Sequence, residues 1–313
     1  MSLPKNLRDR LRLPLIAAPM FRVSGPELVI AACRAGVIGA FPTANCRSVD
    51  ELDDWLRRMR ATLGPKDAPF CPNLIVRHAG LQEQLDCLLQ HRVEMVITSV
   101  GSPAPVIEPL HDIGCLVLAN VASLRHARKA IEAGADGLVL LSAGAGGQTG
   151  WVNGLAFVRA VRAFFDGPVV LAGGIADGQA LWAARVLGCD LGYMGTRFIA
   201  TDESLASPAY KQMLLDAEFD DVLLSSAFTG LPANMLRPSI VAAGLDPDAL
   251  PEQLGVETAA ALYGSGADGP RRWQDIWSAG HSVSGVREIG PVAALVQRTQ
   301  AEYEAARAAS ASL

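Results

Sequence analysis

Two short segments near the middle of the chain set glycines at the end of an apolar run: Leu171-Ala172-Gly173-Gly174-Ile175 and Tyr193-Met194-Gly195-Thr196-Arg197. Backbone N–H groups left open by Gly173, Gly174 and Gly195, the Thr196 hydroxyl and the positive ends of the helices that follow could together hold a phosphate. A third glycine-rich segment, Ser142 to Trp151, reads SAGAGGQTGW and follows another apolar run. There Gly144, Gly146 and Gly147 would let backbone lie close to a planar ligand, or merely make a flexible connection. Met20, closing Ala18-Pro19-Met20, could lay a thioether against a flat ring. Asn73 in PNLIV and Asn120 after LVLA are amides at strand ends, where such groups either tie down a loop or meet a ligand.

Groups able to move a proton are few. His78, His91, His111 and His126 sit in or beside helical stretches and read as solvated surface residues. His281, in Trp277-Ser278-Ala279-Gly280-His281-Ser282, lies in a small-residue loop that could fold over the strand ends. The six cysteines are scattered through apolar stretches with no CxxC pair, and no cluster has metal-ligand spacing. No metal is expected, and a reducing, cytoplasmic setting is.

These residues need a scaffold, and the rest of the chain supplies its rhythm. Short apolar runs begin near Leu15, Val37, Phe70, Val93, Cys115, Gly137, Val169 and Leu191, recurring every ~22 residues with two longer intervals of ~32. Each interval fits one strand, a loop, one helix and a return. The longer interval after Gly137 holds the 142–151 segment and favours a working loop there. The runs are continuous rather than alternating, as in a parallel sheet covered on both faces. Ser24-Gly25-Pro26-Glu27 and Ser48-Val49-Asp50-Glu51 read as capping boxes, and Gly36, Gly64, Gly134 and Gly188 as left-handed helix ends. Eight such units predict an α/β fold, a TIM (β/α)8 barrel, with an open doubly wound sheet as the less regular alternative. The phosphate cradle then falls after strands seven and eight.

After the eighth strand the rhythm breaks. Residues 207–270 carry helical pieces at Ala209–Glu218 and Pro251–Tyr263 and no clear strand, which predicts a mostly helical insertion over the C-terminal rim. Residues 1–206 and 271–313 would form the barrel, its last helix near Val292–Ala306. Half the residues are apolar, 19% are charged and the net charge is −5, which favours a large core and gives no reason to expect nucleic acid or membrane. The start of the chain carries a short apolar stretch with no cleavage-like site, so no signal peptide is expected.

Taken together, APM, PNLIV, AGAGGQTG, LAGGIADG, YMGTRF and DIWSAGHSV resemble the nitronate monooxygenase family of FMN-dependent barrels, across essentially the whole chain. Bacterial flavin-dependent enoyl-acyl-carrier-protein reductases share much of the pattern. The resemblance implies FMN, with Gly173, Gly174, Gly195 and Thr196 on its phosphate. Met20, Asn73 and the 144–147 glycines, Gly146 and Gly147 included, would flank the ring, and Asn120 would approach it. It also implies oxidation of an alkyl nitronate by O2 to a carbonyl compound and nitrite.

One departure matters. The family's sixth loop usually reads AGGH, its histidine acting as base or hydrogen-bond donor; this chain has AGGQ, and Gln148 cannot take a proton near neutral pH. Gln148 would therefore suit nitronates, which arrive ionised, over nitroalkanes, with His281 as the candidate replacement base. Three alternatives stay open. They are an NAD(P)H-dependent flavin reductase of a quinone or enoyl thioester, a sugar-phosphate aldolase or isomerase without flavin, and a barrel kept only for binding. The oligomeric state is left undetermined.

Overall fold

The computed structural model describes residues 3–252, 254–264, 266 and 269–311. Strands in chain order are β1 (Leu15–Ala17), β2 (Ile38–Pro42), β3 (Phe70–Ile75), β4 (Met95–Ser99), β5 (Leu116–Val121) and β6 (Gly137–Leu141). They continue as β7 (Gly147–Gln148), β8 (Val169–Ala172), β9 (Leu191–Met194), β10 (Val222–Ser225) and β11 (Ala233–Leu236). Eight of them close a barrel in the order β1-β2-β3-β4-β5-β6-β8-β9. Parallel pairing runs throughout, and β9 returns onto β1 with Ile16 opposite Tyr193. This is a TIM barrel, and its strands begin within two residues of the positions read from the apolar runs. The short apolar stretch near the start of the chain is spent on β1.

Continuous apolar runs follow from burial on both sides of each strand. Ile16, Ile38, Cys71, Ile97, Leu118, Val139, Val170 and Leu191 fill the barrel interior. Their neighbours Leu15, Ala17, Leu74, Val96, Val117, Leu138, Val169 and Leu171 pack outward against the helices. A fully buried Leu, Ile or Val contributes about 1.5–3 kcal/mol each, so both layers are needed for a barrel this size. At the N-terminal ends, Asp136 accepts from Val117 N at 2.7 Å and Asp190 from Val169 N at 2.9 Å. These carboxylates close backbone donors on the face opposite the loops that follow the strands.

Two local expectations need correction. Ser24 is not the N-cap of the helix Pro26–Ala35; Gly25 is, without a side-chain cap. Ser24 Oγ instead accepts from Met20 N at 3.0 Å and donates to the Ala18 carbonyl at 3.3 Å, bracing the turn after β1. Gly64 is not a left-handed helix end, because the helix Val49–Thr62 closes on extended Leu63. Ser48 does cap that helix, accepting from Glu51 N at 3.2 Å, while the Glu51 carboxylate reaches back to Arg47 N at 2.7 Å.

Residues 207–270 hold the helices Pro208–Asp216, Arg237–Ala242 and Val256–Tyr263; Gln253, within the expected Pro251–Tyr263 piece, lies outside the described residues. They also hold β10 and β11, which the sequence reading left without a strand. The two run antiparallel, and β11 pairs with β7. No local pattern could reveal this, since the third strand is two residues of a distant barrel loop. The final helix, Val292–Ser310, packs on Gly178–Leu187, with Trp182 edge-on to Tyr303 at 5.5 Å between centroids. Among the described residues no helix is long and apolar enough to cross a membrane.

Candidate functional site

The loops at the C-terminal ends of the barrel strands enclose a cavity of about 460 Å³. Its floor comes from Ala18, Leu141, Ala172 and Tyr193, its walls from the loops after β1, β4, β6, β8 and β9 and from residues 272–282. Met20, Asn73, Asn120, Gly146, Gly147, Gln148, Gly173, Gly174, Gly195 and Thr196 all line it. His281 does not: it is exposed, and its ring packs against Gly144, where an added Cβ would lie 2.7 Å from Nδ1. The expectation that His281 faces the site is corrected, because the loop spends its backbone on the crossing; His281 N donates to the Gly144 carbonyl at 2.9 Å.

Two parts of the lining are positioned by hydrogen bonds from neighbours. Asn45 holds the turn after β1, donating to the Met20 and Ser24 carbonyls at 3.1 and 2.8 Å and accepting from Arg22 N at 2.8 Å. Asn73 is buried, donating to the Ile97 carbonyl at 3.2 Å and accepting from Ser99 Oγ at 3.2 Å. Asn120 differs: its buried Oδ1 has no hydrogen-bond partner among the described residues. An orphaned amide oxygen at a cavity wall costs about 1–3 kcal/mol, so this one fits a ligand N–H donor.

Gly173 and Gly174 have φ of 119° and 78°, backbone that side-chain-bearing residues avoid. A Cβ on Gly174 would meet nothing within 4 Å, so the rim is open there. The helix dipole invoked at this corner is, however, already satisfied. Asp177 accepts from Ala180 N at 2.8 Å and Glu302 from Gly178 N at 2.9 Å, so two carboxylates hold the first turn of Gly178–Leu187. An anion could therefore use only the loop N–H groups and the start of the short helix Thr196–Ile199. Thr196 Oγ1 accepts from Gly280 N at 3.0 Å and keeps its own proton to donate.

The 142–151 loop is tied from above. Gly147 and Gln148 pair with Asn234 and Ala233, and buried Asn234 donates to the Ala145 carbonyl at 2.7 Å. Missed by sequence reasoning were Arg22, Val100, Arg272 and Trp273, which also line the cavity. Arg22, Val100 and Trp273 have φ of 60°, 53° and 66°. No sequence signal marks a positive φ at a non-glycine position. Tyr193 and Tyr210 supply hydroxyls; burial pushes the Tyr193 phenol well up and that of Tyr210 up to about 12, so neither serves as a base near neutral pH. Among the described lining residues there is no Asp, Glu, His, Lys or Cys.

The cavity thus offers an apolar slot, an orphaned amide oxygen and an open glycine corner, which suit a planar heteroaromatic group with a phosphate tail. The family model described as nitronate monooxygenase matches residues 77–302, and the chain belongs to that family. The structure superposes on FabK from Thermotoga maritima with a TM-score of 0.81 and 26% identity, covering 98% of this chain and 97% of that one. A nitroalkane oxidase from Streptomyces ansochromogenes gives a TM-score of 0.81 and 29% identity over 97% and 99% of the two chains. Among curated relatives, a 5-hydroxy-7a-methyl-1-oxo-octahydro-1H-indene-4-carboxyl-CoA dehydrogenase from Mycobacterium tuberculosis is 29% identical over 231 residues. That match covers 73% of this chain, which spans 64% of the relative's length.

Proposed function

We propose that this chain is an FMN-dependent oxidoreductase that oxidises alkyl nitronates with O2 to a carbonyl compound and nitrite. Gly173, Gly174, Gly195 and Thr196 would hold the phosphate, while Met20, Asn73, Asn120, Gly146 and Gly147 would flank the ring. FMN, when bound, supplies the electron-transfer and oxygen chemistry. The chain's own contribution is to bind, orient and exclude water. Asn120 Oδ1 would accept the hydrogen bond it now lacks, and the Gln148 amide would donate to the nitro oxygens.

The observation that carries the preference for nitronate is the absence of any proton acceptor among the described lining residues, with His281 outside the cavity. A neutral nitroalkane must lose its α-proton first; a nitronate has already lost it. General-base catalysis is worth roughly 10²–10⁴-fold, so nitroalkanes should be turned over that much more slowly. The test supplies preformed nitronate and neutral nitroalkane separately under air and follows oxygen uptake. Comparable rates would refute the missing-base argument, and no uptake on either would refute the nitronate assignment.

A second reading, an NAD(P)H-dependent flavin reductase of an enoyl thioester or quinone, is supported by the carboxyl-CoA dehydrogenase relative. Anaerobic bleaching of a yellow protein by NADH or NADPH would select it. Colourless protein that refuses added FMN would end both.

A further inference from the structure

Three of the four non-glycine residues with positive φ among the described residues line the cavity: Arg22, Val100 and Trp273. For a β-branched residue such as Val100 this backbone is a true outlier, and strained residues persist where surrounding structure over-determines them. Arg22 is held by Asn45 on its backbone and by a hydrogen bond from Nη1 to Gln274 Oε1, which ties the β1 turn to the Trp273 loop. The Trp273 ring lies over Gly147, whose added Cβ would stand 3.6 Å from Cη2.

The charge among the described lining residues has one sign. Arg22 and Arg272 are the cations among the lining residues, and no described carboxylate pairs with either. Arg22 bonds to neutral groups and stands 5.7 Å from the Phe21 ring centroid, while Arg272 Nη1 donates to the Phe228 carbonyl at 2.8 Å. Burial holds the Arg272 guanidinium below its ordinary range. Arg272 is half-buried and Arg22 exposed, and cations facing a cavity with no counter-charge among the described residues favour an anionic ligand. Phe21, next to Arg22, and Trp273, next to Arg272, add apolar surface to the lining.

We propose that Arg22, Arg272 and Trp273 form a substrate subsite for an organic anion, an apolar body ending in a carboxylate or phosphate that the two guanidinium groups hold. This rests on the reading of the cavity as the place where substrate meets flavin, and it adds the class of substrate: the charged end sits at the arginines, away from the reacting end. A carboxylate and a phosphate ester share this chemistry, so both are tested.

The experiment titrates the purified holoprotein with hexanoate, hexyl phosphate and hexanol, following the fluorescence of Trp273 and Trp277 at the cavity wall. At least one anion should bind on the order of tenfold or more tighter than hexanol at low salt. Arg22→Gln with Arg272→Gln should erase that preference while leaving hexanol binding in place; Arg22→Lys with Arg272→Lys should restore part of it. Equal binding of anions and alcohol, no binding of either anion, or a preference surviving the double glutamine variant would each overturn the proposal. Because the readout is binding rather than turnover, an anion preference without oxygen uptake on nitronate would overturn the nitronate reading and leave this subsite standing.

Discussion

Two glycine-rich loops meet at the same rim and do opposite things with the space their missing side chains leave. At Gly174 that space is empty to 4 Å and faces the cavity. In the 142–151 loop it is filled by the chain itself: a Cβ on Gly146 would lie 2.8 Å from Gly280 N, and one on Gly280 would lie 2.6 Å from the Gly144 carbonyl. Gly174 leaves room for a ligand and Gly146 for a backbone crossing, while Gly173 beside the open corner is packed on Ser142 Oγ. Similar glycine content therefore carries two meanings, and the neighbouring chain decides which.

The comparison can be broken by substitution. The largest change should come from the paired residue of the tied loop: Gln148→His should raise oxygen uptake on neutral nitroalkane by roughly 10²–10⁴-fold. The same variant should make that rate rise with pH through the histidine range near ~6.5, while wild-type turnover of preformed nitronate stays flat there. Next, Gly280→Ala should cost about 1–3 kcal/mol in urea unfolding, because its Cβ strikes backbone that cannot yield cheaply. Gly174→Ala should cost about 1–2 kcal/mol, all of it from positive φ, and should weaken FMN binding measured by flavin release. Should Gly280→Ala unfold no more easily than Gly174→Ala, the contrast between filled and open loops fails.

The smallest effect belongs away from both loops. Asp53 accepts from His91 at 2.6 Å and also pairs with Arg57, and the His91 hydrogen bond chiefly holds its carboxyl below the usual range. A depressed carboxylate contributes above its unfolded value near ~3.9, and the contribution is lost as pH falls through the lower folded value. Urea midpoints taken from pH 5 downward should therefore drop slightly for the wild type and less for Asp53→Asn. Loop variants should leave that difference unchanged.

Much of the molecule could be read in order along the chain. The eight strands were visible because each is buried on both faces and so runs apolar without alternation, and Gly188 marked a helix end because its φ of 117° excludes a side chain. Most candidate site residues were visible as polar or small residues at strand ends. His281 misled, since a histidine in a small-residue loop looks the same whether its ring faces the cavity or the solvent. The strands at Val222–Ser225 and Ala233–Leu236 were invisible because their partner, Gly147–Gln148, lies in another part of the sequence.

By itself the sequence determined the barrel and the rim on which the glycine corners sit, because each is written in local residue type and spacing. Only the tertiary structure decided which glycine space stays open, that Asp177 and Glu302 already hold the Gly178 helix start, that Asn120 Oδ1 lacks a partner among the described residues, and that two arginines line the cavity. Those are properties of what packs against a residue, and residues far apart in the chain supply the packing.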